Sequence, residues 1–305
     1  MKKLYLLVIA LLAMTFSQAQ DITDATRYST EMLSGTARFR ALSGAFGALG
    51  GDLSSLEINP AGSAVFLNSY ATVTLDFSNS KNETAYFNGF SSNSNSQAYL
   101  NQAGGVFVFN SVDPENDWQK FTLGLNYNQT NNFDDSFIAQ GIGNTSIDQY
   151  FLQYANGVPL DLLQTRDNET VSDLYKYLGE NEGYGAQQAF LGYQGYILNP
   201  DSEDPNNTSY TSVVAPGSFD QTYSYISSGV NGKFSINFAT AYKDFLYMGL
   251  NLNAHFLNYD KSTQLRESNS NSGAGQNTII FRDNLSTTGN GFSFQLGAIG
   301  KVNDH

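Results

Sequence analysis

The sequence has no cysteine, which removes disulfides, thiolate metal sites and cysteine nucleophiles from consideration. Lysine and arginine are scarce: 15 against 28 acids, a formal charge of −13. A nucleic-acid partner demands clustered Lys and Arg opposite its phosphates, so that class is excluded. The acids collect in loop-like stretches such as Asp113–Asp117 and Asp201–Asp204 and read as solvated. Only two histidines occur, His255 and His305, and no Gly-x-Ser-x-Gly segment accompanies them. A nucleophile needs a base beside it, so no enzyme is expected, and neither a metal site nor a cofactor is read from the chain. Beyond the N-terminus no apolar run approaches the roughly 20 residues that a membrane-crossing helix needs.

The N-terminus is the exception to that polarity. Lys2 and Lys3 precede an apolar run from Leu4 to Phe16, and Ser17, Gln18 and Ala19 follow. A basic start, a short apolar core and a small-residue cleavage site define a secretory signal. Residues 1–19 therefore read as a signal peptide and Gln20 as the mature start. Its removal takes the formal charge from −13 to −15, because the segment carries two Lys and no acid.

From residue 71 onward the chain alternates with period two. Val73, Leu75 and Phe77 oppose Thr72, Thr74 and Asp76; Phe121, Leu123, Leu125 and Tyr127 oppose Thr122, Gly124, Asn126 and Asn128. Phe234, Ile236 and Phe238 repeat the pattern, as do Phe292, Phe294 and Leu296. The longest case is Leu246–Phe256, where Leu246, Met248, Leu250, Leu252, Ala254 and Phe256 oppose Tyr247, Gly249, Asn251, Asn253 and His255. Period-two alternation is the mark of a strand with one apolar face. A soluble sandwich alternates too, but here the polar face is Asn, Gly, Ser and Thr, not Lys and Glu. Aromatics such as Tyr242, Phe245 and Tyr259 sit near strand ends, as interfacial girdles require. The expected fold class is all-β: a transmembrane antiparallel β-barrel, since lipid admits only helices and closed barrels. On this reading His255 lies on the polar face as a hydrogen-bonded wall residue.

Two segments depart from the alternation. Residues 140–220 show helical periodicity, with Thr145–Asp148 and Thr170–Asp173 as helix-capping pairs, Gly183 as a stop and a third helix over 185–198. Residues 199–209 read as loop. An insertion of this length belongs outside the membrane, on the side where barrels carry long loops. The other segment precedes the first strand. Gly44, Gly47 and Gly50 recur every three positions, a spacing that on a helix permits close approach. Gly51, Asp52 and the triplet Asn59-Pro60-Ala61 follow, and Asn59-Pro60 signals a turn. No Lys-Ser/Thr completes a phosphate loop.

The run from Ser34 to Phe66, SGTARFRALSGAFGALGGDLSSLEINPAGSAVF, resembles the N-terminal hatch of the FadL/TodX outer-membrane transporters, in the wording of Bacteroidetes-like members. The resemblance rests on the ordered Gly/Ala-rich segment, Asp52, Asn59-Pro60-Ala61 and the apolar lead into the first strand. It covers residues 34–67 and is only architectural afterwards. It implies a 14-stranded barrel occluded by a hatch over 20–67, with the barrel over 68–305. It also implies passive uptake of hydrophobic molecules such as long-chain fatty acids or aromatic hydrocarbons, in a monomer surrounded by outer-membrane lipid. The hatch and gating residues are then Gly44, Gly47, Gly50, Gly51, Asp52, Asn59, Pro60 and Ala61. Phe39, Phe46, Leu49 and Phe66 are candidates for ligand lining or for the hatch's own core. About eight strands are legible after Asn68, too few for 14, so these residues are expected to form an open sheet with two exposed edges, the C-terminal strands being cut off. A haem or haemin receptor, and an adhesin-like or structural porin, are the alternative functions. Intact-mass measurement of the exported protein should find a chain beginning at Gln20; retention of residues 1–19 would remove the export reading.

Overall fold

A computed structural model describes residues 22–302 except Ala274. The expected signal peptide lies outside these residues. The dominant element is one antiparallel sheet built from β1 (Tyr70–Tyr86), β2 (Gly89–Asn110), β3 (Trp118–Asn132), β4 (Asp135–Gly143), β7 (Phe219–Tyr242), β8 (Leu246–Ser268) and β9 (Thr278–Gly300). A small two-stranded sheet, β5 (Leu198–Pro200) and β6 (Tyr210–Ser212), stands apart. The all-β reading holds. The order is β1-β2-β3-β7-β8-β9, with β4 continuing upward from β3 and also pairing with β7. Among the described residues β1 and β9 do not pair with each other, so the sheet is open, with these two strands as its edges.

Its register aligns the sequence pattern into rows. Leu125, Ile236, Leu252 and Phe294 are successive partners across β3, β7, β8 and β9. One residue along, Gly124, Asn237, Asn251 and Gln295 form the next row and project to the other face. The apolar rows are bare: Val73 is 68% exposed, Leu75 59% and Phe77 81%. The asparagine rows are covered: Asn237 is 1% exposed and Asn251 2%. This lower half of the sheet is inside-out by the standard of a water-soluble protein.

The polarity then reverses along the same strands. On β8 the face of Asn251, Asn253 and His255 continues as Leu257 and Tyr259, then Lys261, Thr263 and Leu265. The face of Leu250, Leu252 and Phe256 continues as Asn258, Asp260, Ser262 and Arg266. The partner strands change at the same level: Tyr223 and Tyr225 on β7 and Phe281 and Leu285 on β9 align with the apolar set. On β1 and β2, residues 78–84 and 91–97 are polar on both faces. The strands reach 24 residues because they serve two environments in succession.

The ladder between β2 and β3 stops where Gln102 meets Asn128. Above it, side chains replace backbone pairing. The amides of Asn82 and Asn93 donate to Ser136 O at 2.9 and 3.0 Å, and the Thr84 hydroxyl donates to Ile138 O at 2.6 Å. These bonds satisfy a strand edge that would otherwise present bare carbonyls.

Between β4 and β7, residues 144–218 fold on their own core. Helices α3 (Asp148–Ala155), α4 (Val171–Asn181) and α5 (Tyr184–Gln194) bury Phe151, Leu160, Leu163, Leu178 and Phe190 together with Leu198 and Tyr210. Thr170 and Asp173 form the complete capping box of α4. Gly183, with φ 89°, ends α4 and caps α5. Two expectations differ. Thr145 does not cap α3, whose cap position is Ile147. The task passes to Glu267 on β8, whose carboxylate accepts from Ser146 Oγ and from Ile147 N at 2.9 Å. The third helix stops at Gln194, and 198–200 turn into strand because Gly195 and a left-handed Tyr196 terminate it. Removing the α4 cap with Thr170→Ala should accelerate amide exchange of 171–175 about fivefold, the Boltzmann factor of the ~1 kcal/mol typical of an N-cap. Hydrogen bonds from the Thr170 hydroxyl and backbone hold the Asp173 carboxyl below its usual range. The box is therefore intact at neutral pH and should be lost as pH falls through that depressed value.

Candidate functional site

The asparagine face is covered by residues 22–67. This segment holds little regular structure: α1 (Ile22–Ser29), α2 (Ala37–Ala41) and two 3₁₀ turns, η1 (Leu53–Glu57) and η2 (Pro60–Val65). Asp52 caps η1 by accepting from Ser54 N at 2.9 Å, and it also accepts from Thr36 Oγ1 at 2.7 Å. Asn59 caps η2 by accepting from Ala61 N at 3.0 Å, with Pro60 at the first helical position, where its missing N–H costs nothing. The Asn59 amide also donates to Gly47 O at 2.8 Å and to Ala298 O on β9 at 3.0 Å. One side chain thus ties together the glycine run, the turn and the sheet.

The glycines at 44, 47 and 50 are not on a helix. Residues 42–50 form turns, and Gly44, Gly50 and Gly51 have φ of 76°, 57° and 66°. Left-handed backbone accounts for Gly44, Gly50 and Gly51 but not for Gly47, so the three-residue spacing is not a helical face. At Gly50 a Cβ would lie 2.6 Å from Val65 Cγ2 and 2.9 Å from Gly62 O, so this position also needs the close approach. The four apolar candidates divide. Phe39 and Phe46 are buried with ring centroids 5.5 Å apart, and Phe66 is buried against Leu53 and Leu56, whereas Leu49 is exposed. They line no common cavity.

The contact with the sheet is made by residues that the sequence alone did not single out. The strand amides reach backbone carbonyls of both 3₁₀ turns, those of Leu56 and Glu57 at the end of η1 and that of Pro60 at the start of η2. Asn251 Nδ2 donates to Leu56 O at 2.8 Å, Asn237 Nδ2 to Pro60 O at 2.9 Å, and Gln295 Nε2 to Glu57 O at 3.3 Å. Lys120 Nζ donates to Ala64 O at 3.1 Å and Phe66 O at 2.7 Å. Ser63 Oγ bonds Thr122 Oγ1 at 2.8 Å and Asn237 Oδ1. At the centre Glu57 pairs with Lys233, both nearly buried, and Asn126 Nδ2 adds a bond to Glu57 at 3.1 Å. A lone Lys in an otherwise neutral alternating strand, and a lone Glu in a neutral run, were the available signals. Gly249 and Gly297 make the shelf on which η2 sits. A Cβ would lie 2.4 Å from Pro60 C at the first and 2.0 Å from Asn59 Oδ1 at the second.

Above the segment lies the aromatic part of the same face. Tyr28 of α1 packs edge-on to Tyr259 and Phe133, with centroids at 5.7 and 6.3 Å. Phe137 stacks on Tyr225 at 4.9 Å, and Phe281 meets Tyr150 and Phe151 of α3 at 5.9 and 5.3 Å. A cavity of about 270 Å³ opens beside the ion pair and is lined by Met32, Leu33, Phe39, Ile58, Lys233 and His255. His255 Nε2 bonds Ser293 Oγ at 2.8 Å. The arrangement is a polar socket holding a polypeptide, with an apolar, ring-lined region over it. Nucleophile-and-base geometry does not appear among these contacts. No family model, curated protein or solved structure matches the chain.

Two outcomes follow from the socket. Gly249→Ala should raise amide exchange over 59–65 at least tenfold and leave the β8–β9 ladder unchanged. Lys233→Met, which leaves Glu57 buried without its cation, should destabilise by about 3–5 kcal/mol, while the double variant Lys233→Met/Glu57→Leu should recover most of that loss. Denaturant titration of the three proteins checks both the sign and the recovery.

Proposed function

We propose that this chain forms the wall and hatch of an outer-membrane β-barrel channel for passive uptake of hydrophobic small molecules, of the FadL/TodX kind. The observation that carries the reading is the polarity of the sheet and its reversal at mid-height. A water-soluble sheet has no reason to bare Val73, Leu75, Phe77, Ile236 and Phe294 while burying asparagines. A lipid-facing wall has that reason. The inverted band, such as Leu246–Phe256 on β8, matches the ~9–11 residues of a tilted membrane strand. Ordinary polarity resumes above it, as expected of strands that continue into water. Trp118, Tyr242 and Phe245 pack at the lower margin with centroids 5.0 and 6.1 Å apart, suiting an interfacial girdle.

On this reading, residues 22–67 are the hatch and 144–218 the external insertion. The ring-lined region between them receives an apolar ligand after capture. The hatch is held by amides, by the Lys120 ammonium and by the Glu57–Lys233 and Arg40–Asp76 ion pairs, so displacement exchanges charged as well as neutral hydrogen bonds for water. No energy source is called for. A wall in lipid needs hydrogen-bonding partners for the edges β1 and β9.

Ile236→Lys decides between lipid and water at the bare face. Ile236 sits mid-band between Leu125 and Leu252. In a membrane the change should cost about 2–4 kcal/mol and impair assembly; in a soluble sheet it would be neutral or improve solubility. Unimpaired assembly in fractionation and heat-modifiability gels would overturn the membrane reading. Pro60→Gly addresses the hatch. It returns chain freedom to the η2 turn, so single-channel conductance and uptake of a hydrophobic substrate should rise with assembly unchanged. Wild-type values for both would reduce the triplet to a structural joint.

A further inference from the structure

The 144–218 region carries a second cleft, away from the sheet, of about 430 Å³. At its edge α5 closes in a Schellman motif. Tyr196 N donates to Tyr193 O at 3.0 Å and Ile197 N to Gly192 O at 3.0 Å. This motif requires one left-handed residue, and glycine is the usual occupant because a Cβ there crowds the backbone. Here the occupant is Tyr196, with φ 53°. Its side chain is not recruited by the core: the residue is 74% exposed. A bulky residue held in that backbone region, with no packing to account for it, points to a use outside the fold.

The rest of the cleft indicates what that use is. Tyr193 forms a second aromatic wall and is touched by Gln164 Nε2 at 3.4 Å. Gln194 spends its amide on Leu163 O at 3.1 Å, which fixes the side chain and leaves its carbonyl oxygen as an acceptor. Asn199 and Glu203 complete the rim. No Lys or Arg lines the cleft, and its one charge is a carboxylate, so an anionic ligand is disfavoured. A purely apolar ligand would strip water from the amides without replacing their bonds. A ligand that matches both tyrosine rings and amides offers a flat C–H face and many neutral hydroxyls. We propose that this cleft binds a neutral saccharide, stacked on Tyr196 and hydrogen-bonded by Gln164, Gln194 and Asn199. The site is separate from the hydrophobic path proposed above.

Saturation-transfer NMR on the protein in a phosphocholine detergent tests this, since sugar-headed detergents would compete. Maltotriose and N,N′-diacetylchitobiose are the probes. At least one should receive saturation on its ring protons, and its Kd should rise at least tenfold in both Tyr196→Gly and Gln164→Ala. Tyr196→Gly places the favoured residue at the left-handed position, so its unfolding temperature should not fall, which separates loss of binding from loss of fold. Its uptake of hydrophobic substrate should match the wild type. The proposal is overturned if neither saccharide receives saturation, if the signal survives Tyr196→Gly unchanged, or if only a proline-rich peptide binds.

Discussion

The structure depends on the partnership between strand asparagines and the backbone carbonyls of two 3₁₀ turns. A sheet face of Asn, Ser and Thr cannot be buried against hydrocarbon without large desolvation costs. It can be buried against a polypeptide whose own hydrogen bonds are incomplete. Asn237 and Asn251 sit where η1 and η2 present Leu56 O and Pro60 O, and each amide finds an acceptor there. A longer α-helix in place of the turns would consume its interior carbonyls and leave the asparagines without partners. The irregularity of residues 22–67 is therefore a requirement of the surface they cover.

That partnership frees the opposite face to be apolar. In a small soluble sheet the apolar face must be covered, and the polar face meets water. Here the N-terminal segment occupies the polar side, and the apolar side stays bare through the lower half. The reversal at Phe256–Leu257 on β8 marks where this logic ends. Above it, Tyr225, Tyr259 and Phe281 turn to the inner side, and the 144–218 region packs on Phe281 through Tyr150 and Phe151. Glu267 joins the two, accepting bonds from Ser146 and Ile147 while Gln221 donates to it. A single pair of strands thus carries an inverted layer, a ring-lined layer and a helical cap in succession.

Glycine placement decides how close the layers come. Gly249 and Gly297 are neighbours across β8 and β9, and without side chains they let the backbone at Asn59-Pro60 rest directly on the sheet. The ion pair of Glu57 and Lys233 lies at the centre of the same contact and adds direction rather than net stability, because each charge gives up its hydration to form it. Fit at the margin and charge at the centre together fix the register of the N-terminal segment against the wall.

The sequence by itself determined the alternating stretches of β1, β3, β7, β8 and β9, since a pleat that alternates faces every residue writes its two environments directly into the order of Leu, Asn and Phe, whereas β2 and β4 became legible only through their pairing. It also determined the Thr170–Asp173 cap and the Asn59-Pro60 turn, both set by residues within a few positions of each other. The glycine spacing is the same for a helix face and for a run of turns, and only the packing of Val65 against Gly50 distinguishes them. Only the tertiary structure decided which charges mattered. Glu57, Lys120 and Lys233 are far apart along the chain, and their isolation in neutral runs marks them without saying what they meet. The polarity reversal lay in plain sight as the adjacent Phe256 and Leu257, yet its meaning needed the register that aligns the same change on β7, β8 and β9. Local patterns follow from backbone geometry, whereas the pairing of distant polar groups follows from which of them lose water together, and that is settled only when the chain is folded.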